Sequence, residues 1–330
     1  MIPLQPALHK LRPSIRRLSI LFATALIAYL VYSNAPISQL LASSCLYAPL
    51  RPETARLIFV GGHESSGTGL MRVMLDAHPL IRCGAEPMVT STVLGIKNSL
   101  ENKLRERAIK AGIYPDAYNE AAAYFILKIV EKMGPPAKFL CHKQPASFLH
   151  LAYLAKLFPK AKFVHMLRDG RGAIASTIRR GFNGKYKKED PAGALKLWEV
   201  KVTKILRECQ EVGPKRCLSI RYESLVMDPA TESKKLFEFL EIPWDPAVLR
   251  HETMLAQLTN LNPYEPSTKQ FIKKIHTDSI AKWSQPDSVL SEEFLRSVLR
   301  QNSLLRVLGY ADLGNHPDYT KLDPTVPTVL

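Results

Sequence analysis

The sequence predicts an α/β fold, a parallel sheet flanked by helices, preceded by a single transmembrane helix. Three observations predict it. Short apolar runs at 57–61, 138–141, 162–167 and 217–223 alternate with helix-like stretches, the pattern of parallel strands joined by helical crossovers. The first and third runs lead into turns rich in glycine, serine or arginine, and open sheets of this kind bind ligands beyond the carboxyl ends of their strands. Near the N-terminus a charge-free apolar stretch at 18–32 follows Arg16 and Arg17, which reads as a membrane segment entered from its basic side.

In chain order, residues 1–17 form a basic tail with Lys10, Arg12, Arg16 and Arg17, placed in the cytosol. Residues 18–34 form the signal anchor, with Pro36 ending the helix. A span needs about 20 apolar residues, so this one is short and suits a thin early secretory membrane. A cleaved signal peptide is the alternative; the lack of an Ala-x-Ala-like exit after Tyr32 argues against it. Residues 35–54, with Pro36, Pro49 and Pro52, form a luminal stem. The domain proper covers 55–312. Its first strand, LIFVG at 57–61, is followed by a helix with Leu70, Met71, Met74 and Leu75 on one face. KFLC at 138–141 precedes a helix over 149–158. KFVHML at 162–167 precedes an amphipathic run after Arg171, and CLSIRYE at 217–223 precedes a helix over 231–240. Residues 313–330 carry Pro317, Pro324 and Pro327 and read as an extended tail.

A hydrophobic fraction of 46% can fill a large core, and a net charge of +15 points to polyanionic partners. Nucleic acid, an anionic membrane, a phosphorylated nucleotide and an acidic peptide all satisfy it. Cys45 lies beside the anchor, and Cys83, Cys141, Cys209 and Cys217 lie in the body, where four cysteines allow three pairings. Cys209 and Cys217 enclose a Gly213-Pro214 turn and read as a local staple, leaving Cys83 with Cys141; four free buried thiols are the alternative. No Cys-x-x-Cys pair is present, so no metal site is expected.

The turn at 61–72, GGHESSGTGLMR, joins a strand to a helix. Such a turn aims backbone N–H groups and a helix N-terminus at one point, as phosphate-binding loops do. Its Gly62-to-Gly67 spacing matches a P-loop, but Thr68-Gly69 replaces the Lys-Ser/Thr of nucleotide hydrolases. A second strand-turn-helix at 163–180 places Arg168 and Arg171 at the strand end, with Ser176 and Arg180 farther along. Guanidinium groups there can pair with phosphate. Two such turns imply a donor with phosphates at both ends, as in 3′-phosphoadenylyl sulfate (PAPS).

At SGTGLMRVMLDAHPLIRCG, LCHKQP, LFPKAKFVHMLRDGR, the C-x7-C followed by Tyr-Glu, and WSQ after Lys282, the chain resembles the protein-tyrosine sulfotransferases. The resemblance spans about 55–312 plus the anchor. It implies a PAPS-binding sulfotransferase fold related to P-loop nucleotide-binding folds, working as a homodimer in the Golgi lumen. It also implies transfer of sulfate to tyrosines of secreted or membrane proteins in acidic contexts, releasing PAP. Neither metal nor nucleic acid is expected. By that resemblance Glu86 is the catalytic base, and Lys143 and Ser267 stabilise the transition state. Ser65, Ser66, Gly67, Thr68 and Gly69 contact the 5′ side of the nucleotide, and Arg168, Ser176 and Arg180 the 3′-phosphate. Tyr222 and Lys282 also bind nucleotide. A covering loop comprises Ser267, Thr268, Lys269, Gln270, Phe271, Ile272, Lys273, Lys274, Ile275 and His276. Val89, Thr90, Ser91, Thr92 and Val93 match the acceptor-binding stretch. The chain departs from the family at Ser65, where an arginine is usual, and at Gly69, Ala85 and Met88. A glycan acceptor, or a weakened nucleotide-binding relative, is the alternative.

Overall fold

Five short strands make the frame: β1 (Leu57–Gly62), β2 (Ile81–Cys83), β3 (Phe139–Lys143), β4 (Lys162–Leu167) and β5 (Cys217–Arg221). They form one parallel sheet in the order β2-β3-β1-β4-β5. The computed structural model describes Tyr29 and residues 50–181, 184–265 and 268–327; residues 51–330 form one compact unit. Central β1 is buried at every position, which is why it reads as a continuous apolar run. Its side chains still alternate: Leu57 and Phe59 join one core, Ile58 and Val60 the other.

The helices are α1 (Thr68–Asp76), α2 (Thr90–Glu101), α3 (Arg105–Lys110), α4 (Asp116–Lys132), α5 (Leu151–Leu157), α6 (Gly170–Arg179), α7 (Pro191–Val212), α8 (Tyr222–Met227) and α9 (Pro229–Leu240). Three more follow: α10 (Thr268–Phe271), α11 (Glu292–Gln301) and α12 (Ser303–Val307). On one face of the sheet Ile126 of α4, Leu154 of α5 and Ile205 of α7 pack on Phe59 and Phe163. On the other, Met71 and Met74 of α1 meet Leu225 and Leu236. A third cluster gathers Trp198, Trp283, Leu305 and Tyr310.

Differences from expectation are local. The run at 217–223 divides, because Tyr222 and Glu223 open α8 and do not extend the strand. The stretch at 149–158 begins within a 3₁₀ turn, Pro145–His150, before α5. Residues 313–327 are tied down: Arg171 donates to the Gly314 carbonyl at 2.6 Å, Tyr319 to Asp169 Oδ2 at 2.9 Å, and Arg221 to the Thr325 carbonyl at 2.9 Å. Cys83–Cys141 and Cys209–Cys217 are both disulfides, the first between residues paired across β2 and β3. The membrane segment at 18–34, apart from Tyr29, lies outside the described residues, as do Cys45 and most of the stem. Among the described residues no helix is long and apolar enough to cross a membrane.

Register sets the site. Val60 lies opposite Lys143, and Gly62 opposite Met166. The carboxyl ends of β1, β3 and β4 therefore deliver the turn after Gly62, Lys143 and Arg168 to one edge of the sheet.

Candidate active site

At that edge opens a cavity of about 1090 Å³. One wall is the turn after β1. Gly67 has φ 98°, and a Cβ there would come within 2.4 Å of the Tyr222 ring, so the turn requires glycine. Gly67 is also the N-cap of α1 and supplies no side-chain cap. The first N–H groups of α1 thus keep their donor capacity, reinforced by the helix dipole. Ser66 Oγ is buried in the same turn without a hydrogen-bond partner. Ser65 and Met88, both non-glycine, also sit at left-handed φ angles, 63° and 61°. Such strain concentrates where surrounding structure enforces it.

Facing this turn are Arg168, just past β4, and Arg180, at the end of α6. Arg168 donates to the Ser65 carbonyl at 2.9 Å and the Ser279 carbonyl at 2.6 Å, and its guanidinium lies 4.7 Å from the Tyr222 ring centre. Its Nε is buried and unbonded. Arg180 donates to the Ser65 hydroxyl and to the Ser176 carbonyl. Both bond neutral oxygens. Burial, with Arg168 adding repulsion, holds the Arg180 pKa below the usual arginine value. Two adjacent guanidinium groups that form no ion pair with a carboxylate among the described residues make a receptor for an anion. Arg171 does not join them, contrary to the expectation that it lies at the ligand end. It is fully buried, pairs with the α6 cap Asp169 at 2.8 Å and stacks 4.1 Å from the Trp283 ring. The capping carboxylate claims it for the fold.

The same cavity also holds a lysine between two acids. Lys143 is the last residue of β3, its side chain 1% exposed, with Nζ 2.7 Å from Glu86 Oε2 and also bonded to Glu265 Oε1. Burial pushes the Glu86 pKa up against the opposing pull of Lys143, and a carboxylate of raised pKa is a better general base. The Cys83–Cys141 bond ties together the two strand ends from which Glu86 and Lys143 emerge.

Glu64 also faces the cavity, but Lys201 meets it at 2.7 and 3.0 Å and the Tyr186 hydroxyl donates to it at 3.3 Å. Burial raises its pKa less than His63 and Lys201 lower it, so it remains below the usual glutamate range. His63 behind it is pushed down to about 4 by burial. It is neutral near pH 7.

Most of the expected residues converge. Glu86, Lys143, Ser65, Gly67, Thr68, Gly69, Arg168, Ser176, Arg180, Tyr222 and Lys282 line the cavity, as do Lys273 to His276. Ser66 is buried within the turn and is not among the lining residues. Of the covering stretch, Thr268 instead bonds the Asn262 carbonyl at 2.6 Å, and Ile272 packs near Val73. Lys269 is not among the lining residues. Ser267 lies outside the described residues, and of Gln270 and Phe271 only the backbone is described. In the acceptor stretch Ser91 alone lines the cavity. Thr90 turns inward to His142 at 2.8 Å, Val89 and Thr92 are exposed, and Val93 packs against the core. Sequence reasoning missed Glu265 and Gln144. Gln144 follows Lys143 directly, which was a usable signal; Glu265 offered none, because it is distant in sequence.

The sulfotransferase family profile matches residues 57–246. The human protein-tyrosine sulfotransferase 1 is 38% identical over 82% of this chain and 74% of its own. The Caenorhabditis elegans protein-tyrosine sulfotransferase A is 35% identical over 83% and 72%. Among solved structures, the sulfotransferase domain of the Synechococcus PCC 7002 olefin synthase aligns at 20% identity with a TM-score of 0.48, over 73% of this chain and 92% of that one. The chain thus belongs to the sulfotransferase family and, within it, to the protein-tyrosine sulfotransferases.

Proposed function

We propose that this protein moves the sulfuryl group of PAPS to the phenol oxygen of tyrosine in secreted or membrane proteins, giving tyrosine O-sulfate and PAP. One observation carries the reading: two arginines that bond only neutral oxygens among the described residues, and an uncapped helix N-terminus, share a cavity with a buried lysine held between two glutamates. The phenol oxygen forms a bond to sulfur as the bond from sulfur to the phosphate oxygen breaks. Glu86 takes the phenol proton, whose pKa of about 10 otherwise keeps it in place. Lys143 answers the charge gathering on the leaving phosphate. The α1 N-terminus, with Thr68 and Gly69, suits the 5′ phosphosulfate, and Arg168 with Arg180 suits the 3′-phosphate.

The net charge of +15 supports acidic acceptor contexts. The apolar run 18–34 after Arg16 and Arg17 supports a type II anchor, and two disulfides support an oxidising lumen such as the Golgi. Exposed Ile96, Leu104, Ile109, Ile113, Tyr124 and Phe125 on and between α2, α3 and α4 support a homodimer. The test is transfer from labelled PAPS to an acidic tyrosine peptide by the purified chain. Label on the tyrosine peptide and none on its phenylalanine analogue is expected. Label on a glycan acceptor alone moves the reading to a carbohydrate sulfotransferase; PAP binding without transfer leaves a nucleotide-binding relative.

A further inference from the structure

Lys143 is shared, and the second sharer has no role in the scheme above. Glu265 reaches Lys143 from the segment before α10, its side chain 8% exposed, and its Oε2 is buried without a hydrogen-bond partner. A buried carboxylate half-satisfied in this way is costly unless the surroundings hold it there.

The surroundings do hold it, through α1. Arg72 donates to the carbonyls of Cys83 and Gly84, at 2.9 and 3.1 Å, on the arm that carries Glu86. It also donates to the carbonyls of Thr259 and Asn260, on the arm that carries Glu265. Asp76 repeats the arrangement, accepting from the Cys83 N–H at 2.6 Å and from the Thr259 hydroxyl at 3.0 Å. Both residues of α1 are buried. One helix therefore fixes the two acids relative to each other and to the turn at its own N-terminus.

From this geometry we infer that Glu265 is a positioning residue of the transfer reaction, holding the Lys143 ammonium so that Glu86 is free to take the acceptor proton. Lys143 has to serve the leaving group while Glu86 serves the phenol, yet the two pair directly at 2.7 Å. With a second carboxylate on its other side, the lysine can leave Glu86 without giving up an anionic partner. The charged groups that bear on the pair are Lys143, Glu64, Arg72 and Arg180. The negative charge of Glu265 itself works to raise the Glu86 pKa. Removing that charge leaves Lys143 wholly to Glu86, which makes Glu86 a weaker base.

The inference rests on the proposed tyrosine transfer, and its test separates the two. Full-length wild type, Glu265→Gln and Glu265→Asp are assayed with PAPS and an acidic tyrosine peptide across pH, and PAP binding is measured alongside. For Glu265→Gln, kcat should fall about 10- to 100-fold, the scale of a misplaced catalytic group. The acid limb of its pH profile should move to lower pH, PAP affinity should hold, and Glu265→Asp should recover part of the rate. An unmoved acid limb, or a parallel loss of PAP affinity, overturns the positioning role. If Glu265→Gln does not fold, the rate of Glu265→Asp decides: its shorter arm keeps the charge but draws back from Lys143, and a wild-type kcat there overturns the role equally. Failure of wild type to label the peptide strikes the proposed function instead.

Discussion

Within one cavity Arg168 and Arg180 donate, among the described residues, only to neutral oxygens, whereas Lys143 is shared between Glu86 and Glu265. The first arrangement leaves its guanidinium groups open to an anion; in the second, one ammonium between two carboxylates, the cation is already paired within the protein. Buried cations facing a cavity gain by binding a charged ligand, so the arginine pair should govern affinity. A cation already paired gains little from another anion, but a small change in partner or proton redistributes the cluster. The lysine cluster should govern rate.

The contrast can be broken most forcefully at Glu86. Glu86→Gln should lower kcat by about 10²- to 10⁴-fold, the range for a positioned base, with PAP affinity by calorimetry unchanged. Full activity would remove the assignment, and weakened PAP binding would erase the division between the arginine pair and the lysine cluster. Arg168→Ala should do the reverse. Losing a charge-assisted hydrogen bond costs about 1.5–3 kcal/mol, or roughly ten- to a hundredfold in PAP affinity. The loss should be much smaller for the same nucleotide lacking its 3′-phosphate, and equal losses would mean that Arg168 reads another group.

Acidity sharpens the comparison further. The base must be deprotonated to act, and burial raises the Glu86 pKa. Activity should therefore fall, as pH is lowered, through a midpoint above the ordinary glutamate range, while PAP binding by Arg168 and Arg180 persists. A midpoint at or below that range would show that Glu86 is not the titrating group. The smallest expected effect is at Lys201. It is partly exposed, and such an ion pair is worth up to ~1 kcal/mol, so Lys201→Ala should deprive Glu64 of its ammonium partner and weaken PAP by about fivefold or less. A loss as large as that of Arg168→Ala would make Lys201 a direct ligand.

What the sequence disclosed follows from how local each signal is. Four strands were legible because each is a short run with an apolar centre. β2 was not, since Ile81–Cys83 is three residues long with Arg82 at its centre. The α7 stripe of Leu195, Trp198, Val202, Ile205 and Cys209 was readable in principle but lies between motifs that drew the reading elsewhere. Tyr222 lines the cavity, but it opens α8 where the sequence reads as strand, because a strand-to-helix switch leaves no mark in an aromatic-acidic pair. Glu86 and Lys143 were legible through family motifs. Glu265 was not: its meaning depends on meeting Lys143 across 122 residues of chain, and no local pattern encodes that.

The arginine pair has a consequence for turnover. On the proposed reading, Arg168 and Arg180 grip the part of the donor that the reaction leaves unchanged. Interactions of that kind stabilise starting complex, transition state and spent nucleotide alike. The features that recruit the donor should therefore also detain what remains of it, so that PAP competes with fresh PAPS. The working speed of the protein would then follow the ratio of spent to charged nucleotide around it, and an activity that clears PAP nearby would act as its accelerator.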